Sequence, residues 1–124
     1  MLRTMALNHE NQLLFNPPLH TLKEMKWYWC DFNAPTEAEA DLLLTHFRFH
    51  PLAVEDCIIE LQRPKLDYYE NLNFLVIQAI SEQFETHEIN LFVAEQFIVT
   101  FHLYQQKEID IIWNYFQTID DITN

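Results

Sequence analysis

Glu55 and Asp56 stand side by side in the stretch His50-Pro51-Leu52-Ala53-Val54-Glu55-Asp56-Cys57-Ile58-Ile59-Glu60. Carboxylate oxygens are what hard divalent cations such as Mg²⁺ take as protein ligands, usually one or two of them with water completing the shell. Two other groups have metal-ligand chemistry. His46 and His50 have HxxxH spacing, which on a continuous helix would place two imidazoles one turn apart for Zn²⁺. Pro51 disfavours the α conformation at His50, so this pair is expected to straddle a helix boundary and bind nothing. Cys30 and Cys57 stand alone, without the spacing of a structural zinc site or a redox dithiol. They read as reduced, buried small hydrophobes.

A helix must position the acidic pair. Pro51 fits its first position, where a missing N–H costs nothing, with His50 just before it. At about 100° per residue, Val54, Cys57, Ile58 and Leu61 share one face, expected to meet the core. On the other side Leu52 and Ile59 form a narrow apolar strip bordered by Glu55, Asp56 and Glu60. Apolar anchors rimmed by charge resemble a protein interface, where a carboxylate needs a cation or a donor once the interface closes. Periodicity alone favours the plainer reading, ordinary surface acids in the N-terminal half of a helix. Gln62-Arg63-Pro64-Lys65 is expected to end the helix: Pro64 cannot continue the ladder, and the basic side chains suit a helix C-terminus.

The flanking elements follow from pattern. Leu2 to Leu7 and Gln12 to Phe15 read as a hairpin around the turn-rich Asn8-His9-Glu10-Asn11. Leu19 to Met25 fits a short helical turn after Pro17-Pro18, and Trp27 to Phe32 fits a strand whose large rings belong to the core. Thr36 and Glu39 have capping-box spacing, with Ala40, Leu43, Leu44 and Phe47 on one face of the helix that follows. Lys65 to Tyr69, Leu72 to Ile80, Glu88 to Ala94 and Phe97 to His102 read as strands, with Phe74 to Ile77 apolar enough to be buried on both faces. Lys107 to Thr118 carries Ile109, Ile112, Trp113 and Phe116 at helical spacing. This order predicts a single α+β domain over residues 1–124, a layered mixed, largely antiparallel sheet covered by helices.

Composition narrows the function. Nineteen acidic residues against seven basic ones give a net charge of −12, a field that repels phosphate backbones, so no nucleic-acid partner is expected. The chain has no glycine, where average usage is roughly 7%, which removes phosphate loops, dinucleotide fingerprints and the nucleophile elbow. No motif surrounds Cys57 with a base and an oxyanion hole, so an enzyme is not expected. No window reaches the roughly 18 apolar residues of a membrane helix, and nothing resembles a signal peptide.

His50-Pro51-Leu52, Glu55-Asp56, Gln62-Arg63-Pro64-Lys65, Tyr69 and Phe74, in this order and spacing, resemble the cytoplasmic N-terminal domain of the CorA family of magnesium and cobalt transporters. The likeness covers residues 27 to 102 best. It implies a layered α/β/α soluble domain, homopentameric in the full-length protein, on the cytoplasmic face of the inner membrane. It also implies a weak regulatory Mg²⁺ site, open to Co²⁺, at a subunit interface, to which Asp56 foremost, and Glu55, contribute. The family's Gly-Met-Asn pore signature, membrane helices and stalk helix have no counterpart here, so the chain is expected to be a soluble N-terminal piece, meeting the membrane only through missing C-terminal helices.

Two other readings stand beside this one: the cytoplasmic domain of a zinc transporter of the related ZntB branch, and a free-standing cytosolic interaction domain that uses Leu52 and Ile59 to bind a partner helix.

Overall fold

The computed structural model describes residues 1–61 and 63–123, with side chains at all of these except 120–123. Gln62, part of the basic turn read from the sequence, lies outside the described residues.

The N-terminal hairpin pairs β1 (Leu2–Leu7) with β2 (Leu13–Phe15). Asn8 holds its turn, the side-chain oxygen accepting from the N–H groups of Glu10 and Gln12, as Asn does where a side chain can stand in for backbone. A 3₁₀ turn over Leu19–Glu24 leads to β3 (Trp27–Asn33). Two short helices, α1 (Glu37–Ala40) and α2 (Leu42–Thr45), precede α3 (Pro51–Ile59). A meander follows, of β4 (Lys65–Tyr69), β5 (Leu72–Ile80), β6 (Thr86–Val93) and β7 (Phe97–His102), and α4 (Lys107–Thr123) closes the chain.

The strands form one seven-stranded sheet in the order β2-β1-β3-β7-β6-β5-β4. Only β3 and β7 run parallel, with Asp31 opposite Thr100; the other neighbours are antiparallel. On one face Cys30, Phe32, Phe74, Val76, Phe92, Val99 and Phe101 pack against Leu22, Leu43, Phe49 and the α3 residues Ala53, Val54 and Cys57. On the other, Met5, Trp29 and Ile89 pack against Ile109 and Trp113 of α4. Helices on both faces of a mixed sheet make the α+β layered fold that the order of elements predicts.

Four expectations are corrected by tertiary context. The helix after Thr36 keeps its capping box but is broken at Asp41 into α1 and α2, and Leu44 is exposed while Leu43 is buried. Glu39 ties the first turn to the sheet by accepting from the Leu2 N–H at 2.9 Å, so the two turns answer to different anchors. Ile58 is 54% exposed: Ala53 is small enough to sit against the sheet, which rolls the contact face of α3 toward Ala53 and Cys57 and swings Ile58 outward. The helix ends at Ile59, ahead of Pro64, with Glu60 at φ 52° and the Leu61 N–H donating to the Glu88 carboxylate at 2.9 Å instead of continuing the ladder. Phe74 and Val76 are buried, but Ile77 is exposed, because α4 packs over β1, β3, β6 and β7 and leaves that side of β5 less covered.

Candidate functional site

The helix α3 starts where its sequence requires. Pro51 occupies the first turn, and His50 caps it, Nδ1 accepting from the Leu52 N–H at 3.1 Å. His46 closes α2 while Arg48 between them takes φ 56°, so the HxxxH pair does straddle a boundary. His46 packs edge-on against Phe47, and His50 lies over Tyr69.

With Ala53, Val54 and Cys57 buried, the helix turns Leu52 (61% exposed), Ile58 and Ile59 (57%) outward, with Glu55 exposed among them. Asp56 lies at the border between these faces, its side chain only 13% exposed. It meets a cation of the chain itself: Lys65 Nζ is 2.6 Å from Asp56 Oδ2 and 3.0 Å from Asp67 Oδ2. Strand alternation places Lys65, Asp67 and Tyr69 on the α3 side of β4, since Lys65 lies opposite Val76 and Asp67 opposite Phe74, both buried on that side. Hydrogen bonds to Asp56 and then Asp67 hold the Lys65 ammonium above its ordinary range.

Both thiols are inert packing groups, as expected. Each cysteine is free and fully buried. Burial foremost pushes the Cys30 thiol up to about 12, and Cys57 is raised well above its ordinary value by burial and then by Asp56.

A second polar cluster escaped sequence reasoning. Asp31 is fully buried in β3. Its Oδ1 accepts from Thr100 Oγ1 at 2.6 Å and contacts His102 Nε2 at 2.7 Å, while Oδ2 accepts from Arg3 Nε at 2.9 Å. Arg3 also donates to Asp110 of α4 and lies over the Trp113 ring. His102 Nδ1 is 2.9 Å from the Tyr104 carbonyl. Burial alone would raise the Asp31 carboxyl, but His102, Thr100 and Arg3 outweigh it and hold the group below the usual 3.8. Both Asp31 oxygens have a donor, from Thr100 and from Arg3, so the cluster is a structural tie between β1, β3, β7 and α4. An acid in an aromatic strand was the one available signal; the register that supplies its partners is tertiary.

Among the described residues, no three His, Cys, Asp or Glu side chains gather closely enough to hold a metal ion by themselves. No described helix is long and apolar enough to cross a membrane.

Residues 24–123 match the family described as CorA-like Mg²⁺ transporter protein. The chain is 45% identical over 108 residues to YfjQ of Bacillus subtilis (strain 168), a candidate metal ion transporter, over 85% of this chain and 34% of that protein; it thus spans about a third of that relative's length. The fold is similar to the soluble domain of CorA from Methanocaldococcus jannaschii (TM-score 0.76, 12% identity, 95% of this chain and 46% of that one). It is likewise similar to the complete CorA magnesium transporter of that organism (TM-score 0.75, 14% identity, 95% of this chain and 37% of that one).

Proposed function

Because the chain belongs to the family of CorA-like Mg²⁺ transporter proteins, we propose that it is the cytoplasmic regulatory domain of a Mg²⁺ or Co²⁺ transporter and senses divalent cations at a subunit interface through Asp56, with Glu55 beside it. The observation that carries this reading is the make-up of α3's outer side, where Asp56 borders the exposed Leu52 and Ile59.

The donor set fits a hard cation bound weakly. Asp56 and Asp67 already share one positive charge, the Lys65 ammonium, and a hydrated Mg²⁺ needs only one or two carboxylates. Bound there, the ion would supply a divalent countercharge between acids of adjoining subunits. The chain's own residues do the rest. Leu52, Ile58 and Ile59 bring a neighbour close by burying apolar surface. In a protein of net charge −12, the same approach crowds like charges, so closure depends on neutralisation. A ligand that binds only the closed arrangement stabilises it by RT ln(1 + [L]/Kd) at each site. A coupling of about 1–3 kcal/mol is enough to bias a gate.

The test is a Mg²⁺ titration of the 124-residue chain and of its Asp56→Asn variant, followed by sedimentation and thermal midpoint. Millimolar Mg²⁺ is expected to promote association or raise the midpoint in the parent and not in the variant. An equal response in both would exclude Asp56 as the sensing ligand.

A further inference from the structure

Lys65 reaches the acidic helix from a neighbouring strand and places its ammonium between two carboxylates, 2.6 Å from Asp56 and 3.0 Å from Asp67. Resting on the reading of Asp56 as a metal ligand, we infer that Lys65 is a tethered competitor. Its ammonium holds the Asp56 carboxylate until a divalent cation displaces it, and so sets the concentration at which the site fills.

The argument begins with what Asp56 would cost alone. Its side chain is mostly buried, on the flank of a helix with Cys57 and Val54 against the core. A carboxylate so placed needs a countercharge, because desolvating it unpaired is unfavourable. Lys65 provides that countercharge from within the fold. The backbone leaves it little choice: alternation along β4 aims residues 65, 67 and 69 at the α3 side, so the lysine and one of its acids come from the same strand face.

An ammonium and a hydrated divalent cation ask for the same thing at this spot, negative oxygen. They differ in charge and in freedom to leave. Lys65 is a point charge on a flexible four-carbon stem and its side chain is 26% exposed, so it can swing into solvent when a better cation arrives. Asp67, 33% exposed, stays within reach of the ammonium and gives the displaced lysine a second partner. Occupation of Asp56 is thus an exchange of one cation for another. The acid is never left bare, and α3 stays fixed to β4 at low cation concentration.

A lysine that merely pins α3 to β4 predicts a different result. Replacing it would then lower stability without moving the cation midpoint.

The experiment is NMR on the ¹³C,¹⁵N-labelled 124-residue chain, titrated with MgCl₂ at constant ionic strength. It follows the Asp56 carboxyl carbon and the Lys65 Nζ signal, first in the parent and then in Lys65→Met and Lys65→Gln. In the parent, the two signals are expected to move together with one midpoint. In either folded variant, the Asp56 midpoint should fall about two- to fivefold, the range of a solvent-accessible ion pair. Variants that keep the parent's midpoint, or a parent in which Asp56 titrates while Nζ stays still, would overturn the competitor role and leave the sensing role intact. The parent comparison needs no substitution, so it holds even if both variants misfold. No saturable change at Asp56 in the parent or either variant would overturn both.

Discussion

The Lys65 ammonium on β4 and the Asp56 carboxylate on α3 lie 2.6 Å apart, a direct polar tie between the helix that carries the acidic pair and the last strand of the sheet. One turn earlier on the same helix, Ala53 is almost fully buried in the core.

Ala53→Leu should therefore act on both. Adding three carbons to a packed contact forces the helix outward, at a cost of about 1–3 kcal/mol. Urea unfolding would read the loss; an unchanged midpoint would mean that α3 can ride over a larger residue.

The Asp31 cluster predicts acid sensitivity. Its carboxyl sits below the usual 3.8 in the folded state, so its contribution to stability is fully present above the ordinary carboxylate range and is lost as pH falls through the lowered value. Denaturant unfolding from pH 6 to pH 2 should show this decline. Asp31→Asn removes the buried carboxylate that Thr100, His102 and Arg3 share, and is expected to cost about 3–5 kcal/mol at neutral pH. Its stability should also vary less between pH 4 and pH 2 than the parent's.

With no glycine in the chain, some positive-φ positions are filled by residues that resist them, Ala34 at φ 43° and Phe84 at φ 62° among them. A non-glycine residue in this region costs roughly 1–2 kcal/mol, partly offset in a glycine variant by unfolded-state entropy. Ala34→Gly and Phe84→Gly should each raise stability by about 0.5–1 kcal/mol. Asn11→Gly, at φ 62°, should change less, since Asn tolerates this conformation. Calorimetric midpoints of the three variants would check the order.

Cys30 and Cys57 should resist a thiol reagent such as Ellman's at pH 8, since burial raises both thiols and blocks approach. Labelling should accelerate only in denaturant, at the rate of unfolding. Rapid labelling of the native chain would contradict the burial.

The strands were legible because each carries its own punctuation. Pro35 and the Thr36–Glu39 box mark the α1 boundary, and Asn71 at φ 60° marks the β4–β5 turn. The start of the helix that carries the acidic pair could also be read, since Pro51 marks its first turn. What could not be read depended on distant partners. The roll of α3 depends on what Ala53 meets, its early end on a carboxylate 27 residues away in β6, and the lysine in front of Asp56 on the β4–β5 register. The Asp31 cluster needs β3 beside β7, which no local pattern announces.

That single parallel pairing also shapes how the chain is made. Strands β1 to β3 arise from neighbouring sequence, and so does the meander from β4 to β7, but Asp31 meets Thr100 across 69 residues. Closing so long a loop is slow compared with forming hairpins. On the ribosome, β3 therefore waits with an unsatisfied edge, carrying Trp29, Cys30 and Phe32, until residues 97–102 have emerged. During that interval the N-terminal third is a strand edge open to any other chain, and the same seam that completes the sheet ends its exposure to aggregation.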